Sequence, residues 1–231
     1  MKRKITNPFR ALTLTEWIIL ITSIVGVTLS FLLVPKRDYL TLAASLIGVT
    51  ALIFVAKGMV IGQILVVVFS AFYGIISFFF SYYGEMITYL GMSLPIAVVS
   101  IITWVRNPYG DSGRVRVGRM TPIGVLIMLL STSGVTVAFY FILRALGAAN
   151  LLVSTLSVAT SFLAAYLTAM RNPFYAVAYS LNDIVLIVLW ILASVENIAY
   201  LPMVMCFVMF LVNDIYGFIN WMRMKSAQRN L

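Results

Sequence analysis

"SLNDIVLIVLW", Ser180 to Trp190, places an amide and a carboxylate at the head of seven residues whose only polar atom is the indole nitrogen of Trp190. The pair lies inside an apolar run, 174–194, of the length a helix needs to cross a hydrocarbon core of ~30 Å. The same Asn-Asp pair returns as Asn213 and Asp214 in "LVNDIYGFINW", in equally apolar company within 198–222. Working outward, six more runs are long enough to span a bilayer: 17–34, 39–56, 59–80, 86–105, 123–143 and 149–170. The whole chain is 62% apolar and 10% charged, with a mean hydropathy of +1.05, which leaves too little polar surface to clothe a soluble globule. Because the runs are continuous rather than alternating, a lipid-facing β-barrel is excluded. The fold class expected is an all-α membrane protein of eight transmembrane helices.

The first run follows Met1-Lys2-Arg3-Lys4, but no Ala-x-Ala-like site comes after it, so it reads as a retained helix and not a signal peptide. There is no histidine and a single cysteine, Cys206, so classical zinc, haem and Ser-His or Cys-His chemistry lack their parts. No cofactor or metal is expected, and without a Walker loop the chain has no ATP-driven energy source of its own.

Eight crossings put alternate loops on opposite sides. Thirteen of the 16 Lys and Arg residues then fall on the side of the two termini, against three (Lys36, Arg37 and Arg144) on the other. The positive-inside bias places both termini in the cytoplasm of a cell-membrane protein. It also accounts for the net charge of +9 without nucleic acid, since the excess base meets anionic lipid. The longest loop, "RNPYGDSGRVRVGRMTP", reads as a solvated connector.

The expected organisation is an N-terminal segment with an extra helix (1–38), a first three-helix bundle (39–105), a loop and linker helix (106–148), a second three-helix bundle (149–222) and a tail (223–231). A weak internal repeat supports two bundles of equal orientation. "SLIGVTALIFVA" (45–56) aligns with "TLSVATSFLAAY" (155–166), pairing Leu46 with Leu156 and Thr50 with Thr160, and the bundles close with "TWVR" (103–106) and "NWMR" (220–223). Parallel repeats of this kind build small transporters whose substrate site lies near mid-depth between the halves.

An ionisable group at the depth of Asp183 costs about 2.5–3.5 kcal/mol on insertion scales, so it requires a partner or an aqueous cavity. Asp214 lies nearer the cytosolic end. Neither helix interior holds a cation to neutralise them, which leaves amide partners such as Asn182 and Asn213, a proton, or a cation arriving as substrate. A buried Asn-Asp clasp between the two helices is the structural alternative. Tyr175, Tyr179 and Asn182 share a helix face by spacing; with Trp190, Tyr73 of the aromatic-rich third run, and Gln63, they complete the candidate substrate site. Aromatic rings, an amide and an anion suit a small, flat, positively charged ligand with hydroxyls.

The stretches "GQILVVVFSAFYGIISFFFSYYGEMITYLGMSLPIAVVSIITWVRNP" (62–108) and "NPFYAVAYSLNDIVLIVLWILASVENIAYLPMVMCFVMFLVNDIYGFINWMRM" (172–224) resemble the PnuC-type nicotinamide riboside transporters, often labelled nicotinamide mononucleotide transporters. The likeness covers about residues 40 to 225. It implies a SWEET-like arrangement of two three-helix bundles joined by a linker helix, with an added N-terminal helix. It also implies facilitated uptake of the riboside, retained by phosphorylation inside the cell, and a homotrimer. Asn182 stands where the family carries a substrate-site asparagine, and Tyr175 where many members have Trp. Related permeases carry thiamine or riboflavin, which keeps those vitamins as alternatives. An intramembrane aspartyl protease, the rival from another class, lacks its Gly-x-Gly-Asp context: "LVN" precedes Asp214.

Overall fold

The structure is a computed structural model that describes residues 7–34, 39–79, 83–148, 150–196, 198 and 201–229. Among the described residues, a short 3-10 turn (Pro8–Ala11) precedes eight longer helices: α1 (Leu14–Leu32), α2 (Tyr39–Ala56), α3 (Val60–Phe79), α4 (Tyr83–Arg106), α5 (Pro122–Ala145), α6 (Leu151–Ala169), α7 (Tyr175–Glu196) and α8 (Leu201–Arg229). Seven are long and apolar enough to cross a membrane, and α3 contributes a shorter apolar stretch, Val60–Ile75. Among the described residues there is no β-strand, only two isolated bridges at Met59–Arg114 and Pro108–Val115. The boundaries expected at 38, 80 and 149, and the charges at Lys2, Arg3, Lys4, Lys36 and Arg37, lie outside the described residues.

Local chemistry sets the helix ends. Thr13 caps α1 by accepting from the Glu16 N–H while the Glu16 carboxylate accepts from the Thr13 N–H, a reciprocal capping box. Thr121 caps α5, whose first residue, Pro122, supplies a fixed φ and lacks only an N–H that has no helical acceptor. In α4, Pro95 removes one N–H from the ladder, and the turn before it widens into a π segment, Thr88–Ser93, in which the Leu94 N–H reaches back to the Tyr89 carbonyl. α8 does not stop near residue 222. "MRMKSAQR" holds no breaker, and Gln228 is tied down at its end, so the helix runs on to Arg229 instead of leaving a free tail.

α2 packs against α1, α3 and α8; α3 against α4; α6 lies between α5 and α7 and also meets α4; α7 packs on α8. α5 is peripheral, and its Leu126, Leu130, Val137 and Phe141 point outward, as expected of residues facing lipid. α1 is held by more than apolar contact. Lys57, just past α2, is 2% exposed and forms an ion pair with Glu16, whose other oxygen accepts from the Tyr216 hydroxyl of α8 at 3.1 Å. Lys57, one of the thirteen cations on the side of the termini, is thus neutralised inside the protein.

One end of the molecule, which carries the 107–121 loop and the basic end of α8, is sealed by matching bonds. The Trp104 indole N–H donates to the Thr168 carbonyl (2.9 Å), and the Trp221 indole to the Val55 carbonyl (3.0 Å). One residue earlier in each case, the Thr103 hydroxyl donates to Ala169 O and the Asn220 amide to Ala56 O. Each donor caps orphan carbonyls at the C-terminus of α6 or α2. Both helices end in a left-handed residue, Gly58 (φ 72°) and Arg171 (φ 57°), and the loop bridges them through Val115 N–H to Gly58 O and Gly118 N–H to Arg171 O. The loop is therefore a strap and not a solvated connector: Val115 is 1% exposed, and a Cβ on Gly118 would sit 2.1 Å from Met170 O. These bonds match Val55 with Thr168 and Ala56 with Ala169, a register three residues from the sequence pairing of Leu46 with Leu156.

Candidate functional site

A cavity of about 600 Å³ runs between α2, α3, α4, α6, α7 and α8. It extends from Gln63, Thr168 and Asp214 near the sealed end to Tyr83, Asn150 and Ala193 at the other, where Leu146, Gly147 and Ala148 of the loop after α5 also line it. Below it lie Tyr175, Trp104 and Trp221, each at most 1% exposed, with the two indoles 5.4 Å apart and Tyr175 5.2 Å from Trp221. The passage is thus closed at the basic end.

Asn182 occupies the wall at mid-depth. Its Oδ1 accepts from Ser157 Oγ (3.2 Å) and Thr160 Oγ1 (2.9 Å) on α6, which fixes the amide and leaves Nδ2 as a donor that engages no described residue. Asp183 and Asp214, 2% and 4% exposed, both line the cavity with their carboxyls beside one another; among the described residues Asp183 Oδ2 has no hydrogen-bond partner. Two carboxyls so placed in a low dielectric repel unless a proton or a cation lies between them. Asp183 is therefore neither lipid-facing nor sealed in a clasp away from the opening. Gln63, Tyr179 and Trp190 also line the cavity.

Three expected site residues lie elsewhere. Tyr175 is wholly buried at the first turn of α7, where it packs edge-on against Trp221 and Tyr179 and so belongs to the seal below the cavity. Asn213 faces α1: its amide donates to Ser23 Oγ (3.1 Å) and Met209 O, because consecutive helix residues point about 100° apart and Asp214 takes the cavity side. Tyr73 packs at a tilt against Tyr89, ring centroids 4.5 Å apart, behind the wall.

Glu85 is the residue that reading the sequence missed. It lines the cavity toward the open end, beside Tyr83 and Tyr89. Of the chain's seven acidic residues, three (Glu85, Asp183 and Asp214) line this one space, and among the described residues no Lys or Arg does. The π segment of α4 contributes Thr88, Tyr89 and Ser93 to the same wall. The cavity can hold a small organic cation, with rings to stack on and an amide to hydrogen-bond hydroxyls.

Comparison with known proteins agrees. A family model described as Nicotinamide mononucleotide transporter matches residues 38–223. A relative named Nicotinamide riboside transporter PnuC, from Neisseria mucosa, is 25% identical over 214 residues, covering 90% of this chain and 80% of the relative. The solved structure described as the Vitamin B3 transporter PnuC superposes with a TM-score of 0.79 at 24% identity, covering 94% of each chain, so the fold is shared. With its multi-pass helical fold and a carboxylate-lined cavity between the helices, this chain belongs to the nicotinamide mononucleotide transporter family, a family of membrane transporters and not of enzymes.

Proposed function

We propose that the chain takes up nicotinamide riboside across the cell membrane by facilitated diffusion, through the cavity at Asn182 and Asp183. The observation that carries this reading is the cavity's charge: three carboxylates and, among the described lining residues, no Lys or Arg. A pyridinium riboside meets an anionic, ring-lined wall, while a phosphate adds negative charge where nothing positive receives it, so the riboside is favoured over the mononucleotide. Asn182 Nδ2 donates to a ribose hydroxyl, Tyr179 and Trp190 flank the ring, and Asp214 and Gln63 close the inner end. The finer architecture we infer is two parallel three-helix bundles, α2–α4 and α6–α8, joined by α5 with α1 added outside; the crossed bonds of Trp104 and Trp221 support it. The charge bias of the loops supports cytosolic termini and a passage open to the outside. A homo-oligomer, taken as a trimer, is the expected assembly, measured by light scattering in detergent.

Titration of the purified protein with nicotinamide riboside, its mononucleotide, thiamine and riboflavin tests the reading. Riboside alone should bind tightly. Thiamine, also a cation, is the alternative the charge does not exclude; tighter binding of thiamine than of the riboside would reassign the substrate.

A further inference from the structure

A second recess, about 450 Å³, opens at the sealed end between the strap and the last turn of α8. Arg116 and Arg119 of the strap and Lys225 and Arg229 of α8 line it, with Tyr109 and Gln228. The positive-inside bias explains why cations gather at this end. It does not explain why four of them converge on one concavity with a fixed floor. Gln228 builds that floor with both ends of its amide: Oε1 accepts from the Val117 N–H (2.8 Å) and Nε2 donates to the Val115 carbonyl (3.2 Å). The strap is fixed again by the Arg116 N–H on Asn107 O and by Arg171 Nη1 on Arg116 O. Among the described residues no acidic side chain lines the recess, and the one side-chain ion pair, Lys57–Glu16, is elsewhere. Four positive charges lining one recess repel one another, and an anion between them relieves that repulsion.

We propose that this recess binds a phosphate-bearing anion. Guanidinium forks from the strap and from α8 match phosphate oxygens in pairs, and the recess is larger than a carboxylate needs. Bound there, the anion joins the strap to α8, the two elements that flank the seal. The phosphate reaches it either as a soluble compound or as the headgroup of an anionic lipid. The site is separate from the substrate cavity, so it stands or falls independently of the transported vitamin.

The test uses full-length protein in nanodiscs. In phosphatidylcholine discs, inorganic pyrophosphate is titrated by calorimetry; in discs containing phosphatidylglycerol, retained lipid is counted by native mass spectrometry. Arg116→Gln and Arg119→Gln replace exposed side chains, and each should weaken pyrophosphate binding about tenfold or strip the retained lipid. Arg144→Gln, at the opposite end of the molecule, should change neither. Pyrophosphate binding lost in the variants assigns the soluble source; lipid retention lost in the variants assigns the headgroup. Absence of both from the wild type, or binding indifferent to Arg116 and Arg119, would overturn the proposal.

Discussion

Asn182 and Asp183 are neighbours in the chain with separable tasks, one a hydrogen-bond donor and the other a charge. Asn182→Ala removes a donor already oriented by Ser157 and Thr160, and riboside binding should weaken about tenfold by equilibrium titration. Asp183→Asn keeps the shape and removes the anion. It should weaken the pyridinium riboside by tenfold or more yet leave the uncharged, reduced riboside nearly unaffected; equal losses for both ligands would show that the carboxylate does not act through charge. Residue-level legibility followed cost. Asp183, Asp214, Asn182 and Gln63 stand out in the sequence because polar groups in apolar runs demand a reason. Glu85 escaped notice because "SYYGE" marks a helix end, where a carboxylate is inexpensive and draws no attention. Tyr175 was grouped with Tyr179 because helical spacing gives a shared face but not the depth at which the cavity stops.

At the level of elements, the buried Lys57–Glu16 pair fastens α1 to the end of α2. Lys57→Met leaves Glu16 unpaired and should destabilise the protein by about 3–5 kcal/mol, a fall in melting temperature on the order of 10 °C. Glu16→Gln in the same protein should restore much of that loss; failure of the pair to recover would mean that Lys57 acts through packing alone. Gly118→Ala drives a Cβ into Met170 O, so the strap must lift from α6 and the melting temperature should drop. Helix existence was plain from hydropathy, since eight greasy runs have few other readings. The strap was not: its bonds are made by backbone groups of "RVRVG", and side-chain composition records nothing of where an N–H will point.

For the molecule as a whole, a permanent cation carried by a uniporter moves charge. Across 100 mV, inside negative, one elementary charge is worth about 2.3 kcal/mol, so proteoliposomes should accumulate riboside about fifty-fold and, with the potential collapsed, only to equality. Accumulation without a potential would require a coupled ion and end the uniport reading. "TWVR" and "NWMR" stand out in the sequence as like helix ends, but the carbonyls their indoles reach do not, because an acceptor's position in the backbone leaves no mark in side-chain composition. That crossing of bonds has a further consequence. Severed within α5, the polypeptide yields an N-terminal piece that lacks the indole for its own Val55 carbonyl and holds the one that Thr168 awaits in the other piece. Two such fragments, expressed together in one membrane, each carry the missing fastener of the other and should reassemble into a working carrier, whereas either alone would be left ajar.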